Sequence, residues 1–276
     1  MTVKLGEIKE MSFKDMDLPE TLYKYRVWDN EYQKTIVSKR TVFMAAPTSF
    51  EDEKDCKLLK RYDLMTEGDI YNKYLENSKE ENPNWSRQQH RKFARDWTKK
   101  SPMKNIEHIK KLQEENFNEY DKRFGVLSLT ANSKNLTMWN KYSNEGRGFC
   151  VGFDPLILFE YLGGGGPVKY YDELPDIYHN DQYEIERYKQ VFSKEKKWEF
   201  EQEYRTHKFY QNPASISDRQ IEIPPEAYKE MIFGWKMEKD IIDDIIKICV
   251  HLKLNLGYFK AKIVENEVLL EKIQPD

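Results

Sequence analysis

From Leu58 to about Arg123 the chain reads as long polar helices, broken at Asn82-Pro83-Asn84 and Ser101-Pro102, with short strand-like segments on both sides. Strands and helices therefore do not alternate regularly, and the pattern predicts an α+β fold with mixed or mainly antiparallel short-strand sheets and flanking helices. The expected layout is one core domain made of residues 1–56 and 124–276, with residues 57–123 as an inserted helical subdomain.

Within that frame, Leu5–Asp17 reads as a weakly structured lead-in and Leu22–Arg26 as a strand ending in a cation. Asp29 caps a helical segment carrying Tyr32, Ile36 and Val37, and Thr41–Ala45 follows as a strand. Phe124–Thr130 is a further strand, with Ser128 and Thr130 on one side by period-two alternation. Leu136–Tyr142 reads as a helix, Arg147–Phe153 as a strand, and Pro155 opens a helix reaching Tyr161. Gly163–Gly166 is a flexible loop, because no Lys-Ser or Lys-Thr follows it as a phosphate loop requires. Val168–Tyr171 reads as a strand and Ile185–Lys197 as including a helix. Met237–Val250 has the strongest apolar stripe, and Tyr258–Val264 with Glu267–Ile273 forms a closing hairpin turned at Glu265-Asn266.

Composition narrows the function classes. Aromatics at 14% and hydrophobics at 39% support a folded core, while 34% charged residues and a mean hydropathy of -0.87 describe a heavily charged surface. A net charge of -3 leaves no global footprint for a polyanion or a membrane surface, so any basic patch is local. No stretch has the length of a membrane span or an apolar signal core, and the expected location is cytoplasmic. Cys56, Cys150 and Cys249 are far apart, with no CxxC and no histidine at ligand spacing, which argues against a disulfide framework or a zinc site.

Three stretches carry potential chemistry. Trp198–Arg205, WEFEQEYR, puts Glu201, Glu203 and Arg205 on one face if all of it is strand. That face is either a solvated surface on which Arg205 neutralises a glutamate, or a catalytic pair. Glu51, Asp52, Glu53 and Asp55 lie either at a solvated helix start or around a hard cation. Between Trp85 and Lys100 a helical wheel sets Trp85, Gln89, Phe93 and Trp97 against Arg87, Arg91, Arg95 and Lys99. The apolar arc either docks on the core beneath a solvated cationic face, or the basic arc meets a nucleic acid or protein partner.

The strings KYR, PTSFEDEKD, SLT, MWNKY, GFCVGFD and EFEQEYR occur in an order that resembles a bacterial and phage family catalogued as domain of unknown function 2971. The resemblance spans most of the chain outside the helical block, although the family has an Asn-Asp-Pro-type turn where Glu51-Asp52-Glu53 stands here. It implies a bacterial or phage intracellular protein linked to phage defence, a toxin with an antitoxin or a phage-derived partner. More remotely, Arg26, Ser128-Leu129-Thr130 and Glu201-Gln202-Glu203 are similar in order to ADP-ribosyltransferases of the arginine, serine, Glu-x-Glu type.

That second resemblance implies NAD as substrate and a protein or nucleic-acid acceptor, met through Arg87, Arg91 and Arg95. Cleaving the nicotinamide bond builds oxocarbenium-like charge on the ribose, which Glu203 would stabilise. Arg26 would fork onto the pyrophosphate, Ser128 and Thr130 would brace the pocket and orient Glu203, Tyr142 would stack on nicotinamide, and Glu201 would contact the acceptor or polarise it. Two other readings stand beside it. In one, Asp52, Asp55, Glu201 and Glu203 hold Mg²⁺ in a nuclease. In the other, the protein is a non-catalytic sensor or binding module for a phage component or nucleotide.

Overall fold

A computed structural model describes residues 17–274, so nearly all of the lead-in expected at Leu5–Asp17 lies outside the described residues. Fourteen strands follow in chain order: β1 Leu22–Arg26, β2 Thr41–Phe43, β3 Lys60–Arg61, β4 Phe124–Thr130, β5 Phe149–Phe153, β6 Gly166–Pro167, β7 Lys169–Tyr171, β8 Ile177–Tyr178, β9 Ser193–Glu195, β10 Glu203–Phe209, β11 Gln220–Glu222, β12 Tyr228–Phe233, β13 Gly257–Val264 and β14 Glu267–Ile273. The helices are α1 Thr35–Ser38, α2 Glu67–Glu81, α3 Arg87–Lys100, α4 Ile106–Arg123, α5 Leu136–Tyr142, α6 Pro155–Leu162, α7 Tyr183–Phe192 and α8 Lys239–His251. The fold is α+β. Eight strands form one sheet in the order β14-β13-β12-β5-β1-β4-β10-β6, antiparallel except where β12 meets β13.

Alternation along the strands divides the sheet into two faces. Leu22, Leu127, Leu129, Val151 and Phe153 join the larger core with Leu158 and Phe159 of α6 and Ile245 and Cys249 of α8. On the other face Tyr25 and Cys150 pack with Met138 and Trp139 of α5. The Trp139 ring meets Tyr25 edge-on at 5.1 Å, and its indole nitrogen donates to the Ser133 carbonyl at 2.8 Å. The closing hairpin turns at Glu265 and Asn266, both with positive φ, as a two-residue type I′ connection demands.

The sheet is incompletely joined at its centre. β1 pairs with β5 along five residues and β4 with β10 along seven, yet β1 and β4 share only the Tyr23↔Thr130 position. The Lys24 ammonium lies where the ladder lapses and donates to the Ser128 carbonyl at 2.5 Å. At the far end of β1, Gly148 lies so close that a Cβ there would stand 2.1 Å from the Arg26 carbonyl oxygen. Gly148→Ala is therefore expected to cost about 1–3 kcal/mol in chemical unfolding and to shift the end of β1 that carries Arg26.

One local expectation differs. In α3 the buried ridge is His90, Ala94 and Thr98, while Trp85 and Trp97 stay 38% and 47% exposed. The helix packs closely on α2 through small residues, with Ser78 and His90 hydrogen bonded at 2.8 Å. The aromatics form an outer row instead, Trp85–Phe93–Trp97–Tyr74, at ring spacings of 5.8–6.0 Å. The stretch Ile185–Lys197 does include a helix, α7, which ends at Phe192, and Ser193–Glu195 then pairs in parallel with β7 as β9.

Candidate functional site

Where β1 and β4 part, an inner chamber of about 180 Å³ opens, and Arg26, Ser128, Thr130, Tyr142, Glu201 and Glu203 all line it. The six residues singled out from the sequence thus meet at one place. An outer chamber of about 340 Å³ adjoins it and shares Arg26, Phe50, Asp55, Tyr142, Lys194 and Glu201. Together they fall in the size range of small-molecule sites. A separate cavity of about 280 Å³ between α4 and α7 holds none of the six.

WEFEQEYR is not one strand. Lys196–Glu201 forms a 3₁₀ turn, Gln202 adopts a left-handed conformation (φ 44°, ψ 53°), and only from Glu203 does β10 begin. Glu203 and Arg205 share a face by alternation, whereas Glu201 reaches the same chamber because the kink at Gln202 turns it inward. Thr130 holds the kink: its hydroxyl donates to the Glu201 carbonyl at 2.6 Å, and the Ala131 amide donates to the Gln202 carbonyl at 3.1 Å.

The carboxylates belong to a buried ionic network. Arg205 is fully buried; its Nε donates to Glu203 Oε1 at 2.7 Å and its Nη2 to Glu203 Oε2 at 2.9 Å and Asp55 Oδ2 at 2.7 Å. Its Nη1 donates to the Val191 carbonyl at 2.8 Å and lies 3.1 Å from Cys56 Sγ. Lys194 Nζ lies 2.5 Å from Glu201 Oε2, 2.9 Å from Glu203 Oε2 and 3.4 Å from Asp55 Oδ2. Burial pushes the Glu203 carboxyl up, but Arg205 and Lys194 outweigh it and hold its pKa down at about 2. The two cations thus favour the ionised form of Glu203. Burial likewise works against the Arg205 and Lys194 charges, and their acidic neighbours, Glu203 first, raise both above their ordinary values.

Two further cations line the chamber. Arg26 lines both chambers; its described hydrogen bond is to the carbonyl of Tyr25, and burial lowers its pKa to about 10. Lys24 lines the inner chamber, where burial and then Arg26 lower its pKa to about 7. The chamber is thus lined by Asp55, Glu201, Glu203 and Lys194 together with Lys24 and Arg26, so it carries charges of both signs. Ser128 Oγ is buried on the chamber wall without a hydrogen-bond partner among the described residues. Tyr142 donates its hydroxyl to Glu201 Oε1 at 2.7 Å, and its pKa is raised by burial and by that carboxylate. Tyr170 accepts the Glu203 amide at 2.8 Å.

Sequence reasoning passed over Lys194 and Lys24. The first lies in a segment read only as including a helix, and the second only gains meaning from the gap between β1 and β4. Asp55 does meet Glu201 and Glu203, but they converge on the Lys194 ammonium, and among the described residues no group of three or more His, Cys, Asp or Glu is arranged to hold a metal. No described helix is long and apolar enough to cross a membrane. No family model, curated protein or solved structure matches the chain.

Proposed function

We propose that the two chambers bind NAD, break its nicotinamide–ribose bond and transfer ADP-ribose to a protein or nucleic-acid acceptor. The observation that supports this reading is the convergence of Arg26, Ser128, Thr130, Tyr142, Glu201 and Glu203 on one cavity lined by charges of both signs. NAD has a dianionic pyrophosphate and a cationic nicotinamide ring, so a chamber lined by both cations and carboxylates complements it. Arg26 and Lys24 face the pyrophosphate, and Ser128 braces the wall beside them.

In the reaction the C–N bond breaks with its electron pair leaving on the nicotinamide nitrogen, and the ribose C1′ becomes oxocarbenium-like. Glu203, favoured in its ionised form and unable to rotate away, stabilises that charge more than the ground state. The acceptor enters beside Glu201, which lines both chambers; its nucleophilic atom bonds C1′ with a lone pair and gives up its proton to water. Thr130 acts on the Glu201 main chain rather than on the Glu203 carboxylate, which is the brace's actual point of contact. Exposed Arg87, Arg91 and Arg95 on α3 offer a local basic surface for an acidic acceptor. On the resemblance to the phage and bacterial family, this chemistry serves phage defence in the cytoplasm, held in check by an antitoxin or released by a phage-derived partner.

Lys24 supplies a pH test. Its charge is lost as pH rises through about 7, so affinity for the pyrophosphate falls on the alkaline side. Calorimetric titration with NAD is expected to show about a tenfold loss of affinity between roughly pH 6 and pH 8.5, and Lys24→Met is expected to flatten that dependence. Absence of NAD binding by the wild type at both pH values would contradict the reading.

A further inference from the structure

Helix α3 combines two surface features that the chambers do not explain. Arg87, Arg91, Lys92, Arg95, Lys99 and Lys100 are all exposed on it against the single acid Asp96, in a chain whose net charge is -3. None of the six makes an ion pair or a side-chain hydrogen bond among the described residues, whereas on α4 Lys110, Lys111 and Lys122 each meet a glutamate one turn away. The helix dipole accounts for Lys99 and Lys100 in the last turn, but it disfavours Arg87 in a first turn that holds no acid.

The second feature is the row Trp85–Phe93–Trp97–Tyr74, whose rings meet at tilts of 32–67° rather than face to face. Trp85 and Trp97 are its exposed members. Among the described residues no lysine or arginine stands over any of these four rings, in contrast to Trp198, which has three lysines against it. Lys100 lies three residues beyond Trp97 and so stands beside it on the helix surface, with Lys92 and Lys99 on the adjoining arc. Unpaired cations next to uncovered rings are the two elements that hold a single strand: the charges track phosphates and the rings take unstacked bases. A duplex keeps its bases stacked and offers the rings nothing, and the carboxylates of an acidic peptide bring charge without a π-face.

We infer that this face of α3 binds single-stranded nucleic acid, with Trp85 and Trp97 as stacking platforms and Lys92, Lys99 and Lys100 on the phosphates. The 14 residues of α3 span about 21 Å, enough for a few nucleotides. The strand's part as ADP-ribose acceptor rests on the NAD reading. Its binding does not and is measured without NAD, so strand binding and nicotinamide release can fail independently.

The experiment follows the fluorescence anisotropy of labelled oligo(dT) and oligo(U), each of about 12 nucleotides, during titration with the full chain at low salt. Saturable binding is expected, with affinity falling as salt rises from about 50 to 200 mM. Trp97→Leu is expected to weaken binding about tenfold at an unchanged salt slope, because it removes a stacked base and no phosphate contact. Lys92→Gln is expected to make the slope shallower by about 0.7, the share of one phosphate in a single strand. Unlabelled duplex and poly-glutamate are expected to compete about tenfold more weakly than the unlabelled single strand. No saturable binding at low salt, a Trp97→Leu variant that binds like the wild type, or competition by duplex or poly-glutamate equal to that of the single strand would overturn the assignment.

Discussion

Arg205→Met is expected to lower the unfolding free energy by about 3–5 kcal/mol, seen in urea as an earlier midpoint with little change in slope. Arg205 is fully buried and its guanidinium serves Glu203, Asp55, Cys56 and the Val191 carbonyl at once. Removing it leaves Glu203, Asp55 and Glu201 sharing the single charge of Lys194. The cost is that of several carboxylates stranded away from water, which exceeds the worth of any single hydrogen bond in the network. Arg205→Lys should recover only part of it, because an ammonium cannot fork onto both oxygens of Glu203 while reaching Asp55. Acid stability reports the same network from the other side. The folded-state pKa of Glu203 is about 2, below its ordinary 4.5, so the unfolded chain binds the extra proton between those values. The Glu203 contribution is therefore fully present above about pH 4.5 and disappears as pH falls through about 2. A pH titration of the urea midpoint checks the window.

The second large effect is on catalysis. Glu203→Gln is expected to lower NAD turnover by about 10²–10³, equivalent to about 3–4 kcal/mol of transition-state stabilisation. Glutamine is nearly isosteric and its carbonyl oxygen still accepts from Arg205, but the charge that stabilises the ribose cation is gone. Some stability is lost too, since Arg205 and Lys194 then share only Asp55 and Glu201 as acidic partners. The two effects separate through NAD affinity. Arg26 and Lys24 carry the pyrophosphate in this account, so a folded Glu203→Gln protein keeps its affinity while losing turnover.

Much of the scaffold was legible in the sequence because local signals and tertiary packing agree there. β1, β4, α5, α6 and the closing hairpin fall where alternation, caps and turns place them. The Glu203–Arg205 pair was legible for the same reason, since alternation alone puts them on one face. Glu201 was assigned to that face for the wrong reason: it lies in the 3₁₀ turn before β10, and no sequence signal marks Gln202 as the left-handed kink that ends that turn. Lys194 was not legible. Ser193-Lys194-Glu195 has no strand propensity and becomes β9 only by pairing with distant β7, a tertiary override of local preference. The Asp55–Arg205 contact spans 150 positions, which no local pattern reports. In α3 the aromatic spacing was right, yet hydrophobicity misidentified the buried ridge, because close approach to α2 selects Ala94 and a hydrogen-bonded His90 over tryptophan.

The most direct test of the central claim is nicotinamide release from NAD by the purified wild type and by Glu203→Gln, with both shown by thermal melting to be folded at the assay temperature. The account predicts release by the wild type and a fall of about 10²–10³ in the variant. Equal NAD consumption by the two folded proteins would contradict it.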